Sequence, residues 1–318
     1  MVETDTATWE PWPELTYEAW RDTSETLHLW TQIVGKIRLA CEAWLNHSWH
    51  VTLYVTARGL STSAIGHGNR IFEIEFDFVD HQLNVRAAEG ARRQIPLEPR
   101  SVSAFYKAVM GALDDLGLPV RIDDLPNEVV DAIPFSQDVG HAAYDPDYAN
   151  RFWRVLLQTD RILKKFRTGF VGKSSPVHFF WGSFDIAVTR FTGRSAPVHP
   201  GGVPNLSDAV TREAYSHEVS SAGFWPGAGL GYPAFYSYAY PVPDGFSDAS
   251  VSPAEATWNA GLGQFLLPYE VVRTARDPDR SLLSFLQSTF DAAAGSGGWN
   301  IDDLVCPIGR PRIPRAYE

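Results

Sequence analysis

Apolar and polar residues alternate most cleanly between Ile71 and Val79. Phe72, Ile74, Phe76 and Phe78 share one parity, and Glu73, Glu75 and Asp77 the other. A period of two sends successive side chains to opposite faces, so this segment reads as a half-buried strand. Val51 to Ala57 alternates in the same way. Asp80-His81 and Glu89-Gly90 are turn pairs, so Gln82–Ala87 and Arg92–Leu97 complete an antiparallel meander. On either side the period lengthens. Trp20, Leu27, Trp30, Val34 and Ile37 mark a helix over 17–39. Val102, Phe105, Tyr106, Val109, Leu113 and Leu116 mark another, stopped by Gly117.

The second half repeats this order. Asp145-Pro146 offers an N-cap acceptor followed by proline at the first helical position. Tyr148, Phe152, Val155, Thr159, Ile162 and Phe166 then form one stripe. Strands are expected around 176–191, 212–224, 233–240 and 263–267. Asp277-Pro278 opens a last helix through Phe290 to Gly295. Residues 122–143, with several Asp and Pro, read as a connector. The expected fold is α+β, with two similar halves, 15–125 and 144–300, in one unit. Each is an antiparallel sheet flanked by helices. Residues 1–14 read as an arm and 301–318 as a mobile tail. The repeated element order suits an ancient duplication or chance recurrence alike. A duplication would bring His50 and His178, each just after a long helix, toward one shared site.

At 318 residues and 44% hydrophobic content the chain can bury a sizeable core. Its formal charge of -11 and dispersed basic residues argue against nucleic acid and anionic membranes as partners. No run approaches the ~18 apolar residues of a membrane span. Cys41 and Cys306 are the only cysteines, too few and too far apart for a disulfide framework. A cytoplasmic protein with reduced thiols is expected.

Candidate chemistry concentrates between Pro176 and Trp225. His178, Asp185, His199, His217 and Glu218 lie there among Phe179, Phe180, Trp181, Phe184, Phe224 and Trp225. Apolar walls with a few polar groups describe a small-molecule pocket. His178, His199, His217 and Glu218 are the candidate metal ligands, for zinc, iron or manganese. Metal-free acid–base catalysis is the other reading, with His178 and His217 acting and Glu218 or Asp185 setting a tautomer. A third is structural, each imidazole satisfied in a core. On a regular strand His217 and Glu218 point to opposite faces, and His178 and Asp185 have opposite parity, unless a bulge, for example at Gly182, intervenes. Trp181, Phe224, Trp225, Arg190, Arg58 and His50 are the candidate substrate contacts. Tyr232, Tyr236, Tyr238 and Tyr240 could add an aromatic wall. The Glu73, Glu75, Asp77 ladder is expected to face arginines such as Arg92 and Arg93, unless it lines a cavity.

The segments Trp12-Pro-Glu-Leu-Thr-Tyr-Glu-Ala-Trp, Asn46-His-Ser-Trp-His-Val, Phe72-Glu-Ile-Glu-Phe-Asp-Phe, His178-Phe-Phe-Trp-Gly-Ser-Phe-Asp, Pro200-Gly-Gly-Val-Pro-Asn and Ser216-His-Glu-Val-Ser-Ser-Ala-Gly-Phe-Trp-Pro-Gly resemble an uncharacterised bacterial, largely actinobacterial family. That family carries only a domain-of-unknown-function label. The resemblance spans nearly the whole chain and implies a stand-alone bacterial protein. It brings no activity, ligand or catalytic residue.

Nucleotide and hydrolase motifs fail. Gly172-Lys173-Ser174 lacks the upstream glycine of a phosphate loop, since Arg167 stands there. Gly227-Ala-Gly-Leu-Gly231 runs into Tyr232-Pro233 rather than a helix, so no pyrophosphate site forms. No nucleotide cofactor is expected, and no G-x-S-x-G elbow supplies a serine nucleophile. The expected function is an enzyme of small-molecule metabolism acting on an uncharged or cationic substrate. The alternatives are a ligand-binding protein without turnover and an interaction module that docks a partner through exposed tryptophans.

Overall fold

Asp-Pro pairs start two of the long helices. In the computed structural model, which describes residues 9–315, the Asp145 carboxylate accepts from the N–H groups of Asp147 and Tyr148 at 2.9 and 3.1 Å. Asp277 does the same for Arg280 at 3.0 Å. The helices are α1 (Tyr17–Cys41), α2 (Val102–Asp115), α3 (Pro146–Arg167), α4 (Asp208–Ala214), α5 (Tyr269–Arg273), α6 (Pro278–Ser296) and α7 (Ile301–Leu304). None is long and apolar enough to cross a membrane.

Two six-stranded antiparallel sheets lie among them. The first holds β1 (Tyr54–Val55), β2 (Gly59–Ser61), β3 (Ile65–His67), β4 (Arg70–Asp77), β5 (Gln82–Ala87) and β6 (Arg92–Pro96). Its order is β1-β2-β4-β5-β6, with β3 also on β4. The second holds β7 (His178–Phe180), β8 (Asp185–Ser195), β9 (His217–Trp225), β10 (Ala234–Tyr240), β11 (Thr257–Asn259) and β12 (Gln264–Pro268). Its order is β11-β12-β10-β9-β8-β7. The α+β expectation of two antiparallel sheets with helices around them therefore holds. The sheets touch at their edges, where Leu53 and Phe179 exchange both backbone hydrogen bonds at 2.9 Å.

One hydrophobic core runs through both halves. Trp30 of α1 stacks on Phe105 of α2 at 4.4 Å and on Tyr144 at 5.6 Å. Trp20 packs on Phe152 of α3 at 5.0 Å, and Phe152 on Phe184 at 5.2 Å. Each such ring taken from water contributes roughly 2–3 kcal/mol. The arm docks as well. Trp12 is buried against Phe235 and Tyr269, and Trp9 meets Trp153 edge-on at 5.9 Å. Residues 1–8 of the arm lie outside the described residues.

Several segments differ from expectation for local reasons. Residues 176–191 form a hairpin rather than one strand, because Trp181–Phe184 turn the chain. Residues 208–214 are helical, capped by Ser207, so β9 starts only at His217. In the first sheet Glu75 and Asp77 are buried. They face Arg86 at 2.7 Å and Arg58 at 2.5 Å, not Arg92 and Arg93. Residues 301–315, expected as a mobile tail, run beside 168–172. There Val171 N–H donates to Leu304 and Cys306 N–H to Gly169. Residues 316–318 lie outside the described residues.

Candidate functional site

The parity of β8 divides two environments. Ile186, Val188 and Arg190 face the helices, while Asp185, Ala187, Thr189 and Phe191 face the other way. The register carries this second face across the sheet. Phe180 stands opposite Asp185, Ser221 opposite Thr189, and Tyr238 opposite Ser221. Tyr236 lies one row further along β10. Over this face lies a cavity of about 610 Å³. Its roof comes from the last turns of α1, from residues 44–51, from the connector at 121–128 and from 203–215. Trp44, Trp49, Trp181, Phe180 and Phe191 supply its rings.

Two glycines make the walls fit. Gly35 sits within α1, where glycine costs about 1 kcal/mol against alanine. A methyl group there would collide with the Trp181 indole. That indole donates to the Val51 carbonyl at 2.7 Å and is fixed as a wall. At Gly182 a methyl group would strike the Glu128 carboxyl. The Gly182 carbonyl accepts from His28 of α1 at 2.8 Å.

The floor carries a chain of polar groups. Asp185 accepts from the Ser183 hydroxyl at 2.6 Å and from the Tyr236 phenol. Tyr215 and Tyr238 share a hydrogen bond at 3.0 Å, and Thr189 and Ser221 another at 2.9 Å. Burial raises the Asp185 carboxyl to about 6, against the two hydroxyls that favour its charged form. Glu128 lines the same cavity without a hydrogen-bond donor to its carboxyl among the described residues. Its side chain is accessible and lines the cavity. Desolvation, with the Asp185 charge added, raises Glu128 to about 7. Its backbone has φ +61°, a left-handed conformation that costs a non-glycine residue about 1 kcal/mol or more. The loop is held there by Glu128 N–H donating to Pro204 (2.8 Å) and by Gln32 bracketing Asn127, 2.8 Å on each side. Six residues along β8 from Asp185, Phe191 packs on His47 at 4.6 Å. Lys173 donates to His47 Nε2 at 2.6 Å, so Nδ1–H donates to Ala214 at 3.0 Å.

Among the residues singled out from sequence, Asp185 and Trp181 line the cavity. Trp225 flanks it, donating to Ser183 at 3.1 Å. His178 shares the cavity face with Asp185, because the tight hairpin resets the parity that sequence spacing implied. No bulge at Gly182 is involved; the irregularity in β8 falls between Phe191 and Ser195. His178 is enclosed by Trp49, Tyr54 and Phe180, and its Nδ1 has no partner among the described residues. Burial first, then Arg38 and Arg167, push it down to about 3.

The proposed ligand quartet is dispersed. His178 pairs with Ala187 and His217 with Ser195, eight residues farther along β8. Metal bonds run near ~2 Å. His199 instead stacks on Tyr215 at 4.7 Å. Glu218 pairs with Arg194 at 2.5 Å, whose guanidinium also caps Gly297 and Gly298 at the end of α6. Among the described residues no three His, Cys, Asp or Glu side chains gather closely enough to hold an ion.

The other candidates lie elsewhere for reasons of strand parity. Arg190 and Phe224 are on the helix face. Arg190 is fully buried between Phe166 and Phe290, its guanidinium 3.5 and 4.2 Å from their centroids. Arg58 is tied to Asp77 and Asp80. His50 packs at a tilt on Trp44 at 4.7 Å, behind the cavity wall. Glu128 was not singled out. It sits in the connector, and no periodicity marks it. The only local sign is Pro126-Asn127 before it, a turn-forming pair.

The chain shows no significant similarity to any curated protein or to any solved structure. A family profile, described as a family of unknown function, does match, from residue 12 to residue 306, and includes every residue that forms the cavity. By that match the protein belongs to the DUF5996 family.

Proposed function

We propose that the protein is an enzyme that moves a proton on an uncharged or cationic small molecule, bound in the cavity above the second sheet. Glu128 is the acting acid or base. Asp185, fixed by Ser183 and Tyr236, sets its charge and orients the ligand. One observation supports this most: a carboxyl without a donor among the described residues faces the same ring-lined hollow as the buried Asp185 carboxyl. A group poised near neutral pH both gives and takes protons efficiently, typically worth 10²–10⁴-fold in rate. His178 is removed from the acting role, since it is neutral across the physiological range and walled in.

The test works whatever the substrate is. Purified protein is incubated with a mixture of cellular metabolites, and depletion is followed by mass spectrometry. Wild-type protein should consume at least one component, and Glu128→Gln should not. Consumption equal in both would end this assignment.

A ligand-binding protein without turnover is the second reading. It is favoured by the pairing of the wall hydroxyls with each other, Tyr215 with Tyr238 and Thr189 with Ser221. Retention of a metabolite through purification, with no product under any condition, would select it.

A further inference from the structure

The cavity that serves as the proposed active site also has an electrostatic character. We infer that its ligand is an organic ammonium ion, its charge held between the Glu128 carboxylate and the aromatic wall. This deepens the proton-transfer reading by naming the substrate class, and it rests on the same cavity.

Three observations converge. First, the cavity presents an acceptor that no donor among the described residues satisfies. The Tyr236 proton is committed to Asp185, Tyr215 and Tyr238 bond to each other, and Glu128 has no donor among the described residues. A ligand that brings N–H donors completes this set. Second, of the cations that line the cavity, Lys36 is already engaged. Lys36 donates to the Leu125 carbonyl at 2.6 Å and faces Asp123 at 3.5 Å, while Arg121 is exposed at the mouth. Third, the rings of this wall already accept a cation. The Lys173 ammonium lies 4.6 Å from the Phe191 centroid and 5.4 Å from that of Trp49. Ammonium over a ring face within ≈ 6 Å is attracted by the ring quadrupole, and more so where water is excluded. A volume of about 610 Å³ suits a small organic molecule rather than a bare ion.

Binding should then depend on pH through Glu128. The groups that share its surroundings are Asp185 from β8, the phenols of Tyr236 and Tyr238 from β10 and of Tyr215, and Lys36 and His28 from α1. His28 is pushed down to about 4 by burial and stays neutral at the relevant pH. Tyr215 and Tyr236 are held far above their ordinary range and stay protonated. Glu128 and Asp185 are thus the groups that change charge. A bound ammonium favours their ionised forms, so binding near neutral pH releases protons.

The experiment is isothermal titration of the full chain with phenethylamine, its neutral isostere 2-phenylethanol and the anionic 3-phenylpropionate, with tryptophan fluorescence as a second readout. The amine should bind at least tenfold more tightly than the alcohol at pH 8, and the carboxylate not measurably. Its affinity should fall about tenfold between pH 8 and pH 6, as a carboxylate titrating near 7 requires. Glu128→Gln should abolish the amine preference. Equal affinity of amine and alcohol, an amine preference that survives Glu128→Gln, or no binding of phenethylamine at millimolar concentration would each overturn the inference. Its failure is separable from failure of the enzymatic reading. Amine binding without metabolite consumption removes turnover alone. Consumption of a neutral metabolite, lost in Glu128→Gln, with no amine preference removes the ammonium ligand alone.

Discussion

The first sheet buries Glu75 and Asp77, the second buries Asp185 beneath the accessible Glu128 of the connector, and the two settings treat their carboxyls in opposite ways. On the first, Glu75 and Asp77 are closed by Arg86 at 2.7 Å and Arg58 at 2.5 Å, and Thr56 and the N–H groups of Val79 and Asp80 complete their shells. On the second, Asp185 has only neutral hydroxyl donors, and Glu128 has none among the described residues. Burial alone would raise Asp77, but the Arg58 and backbone hydrogen bonds reverse this and hold it below its ordinary value. Asp185 and Glu128 remain raised, to about 6 and about 7. Carboxylates with full partners lock a structure. Carboxylates left open to a hollow store an interaction that a ligand can use.

The pH signs follow. A lowered folded-state value stabilises above the unfolded value of the group, and the gain is lost as pH falls through the folded value. Asp77 therefore supports the first sheet at neutral pH and stops doing so in acid. A raised value contributes stability below the unfolded value, and that contribution is lost as pH rises through the folded value. Asp185 thus supports the second sheet in acid and costs stability above about pH 6.

The comparison can be broken most sharply at Glu128. Glu128→Gln should lower turnover by about 10²–10⁴-fold while the thermal midpoint stays the same or rises, read by metabolite depletion and calorimetry. On the first sheet, Arg58→Ala should leave Asp77 buried without its cation and cost about 2 kcal/mol in urea unfolding at neutral pH, less in acid. Asp185→Asn should do the reverse, stabilising by about 1–2 kcal/mol at pH 8 and fading toward pH 4. The smallest effect belongs to Tyr236→Phe. Removing that donor should raise the Asp185 carboxyl further, with a stability change of about 1 kcal/mol at pH 8.

Both sheets were legible where period and caps are local. The alternation around Phe72–Phe78, the Asp145-Pro146 and Asp277-Pro278 starts and the helix stripes all appear in the structure. The cavity was legible only in part. Trp181 and Asp185 were found because rings and an acid cluster in one segment. Glu128 was missed because its meeting with Asp185 joins a connector to a distant strand through a left-handed backbone turn, which no spacing encodes. The His178, His199, His217 and Glu218 grouping reflected closeness in sequence. Strand length separates His178 from His217, and strand parity sends Glu218 to Arg194.

The most direct test of the contrast between the sheets is a carbon-13 NMR titration of the side-chain carboxyls in the full chain, assigned with Glu128→Gln, Asp185→Asn and Asp77→Asn. Glu128 and Asp185 should titrate near 7 and near 6, with Asp77 below its ordinary range. Midpoints for Glu128 and Asp185 in the ordinary carboxylate range would contradict the account.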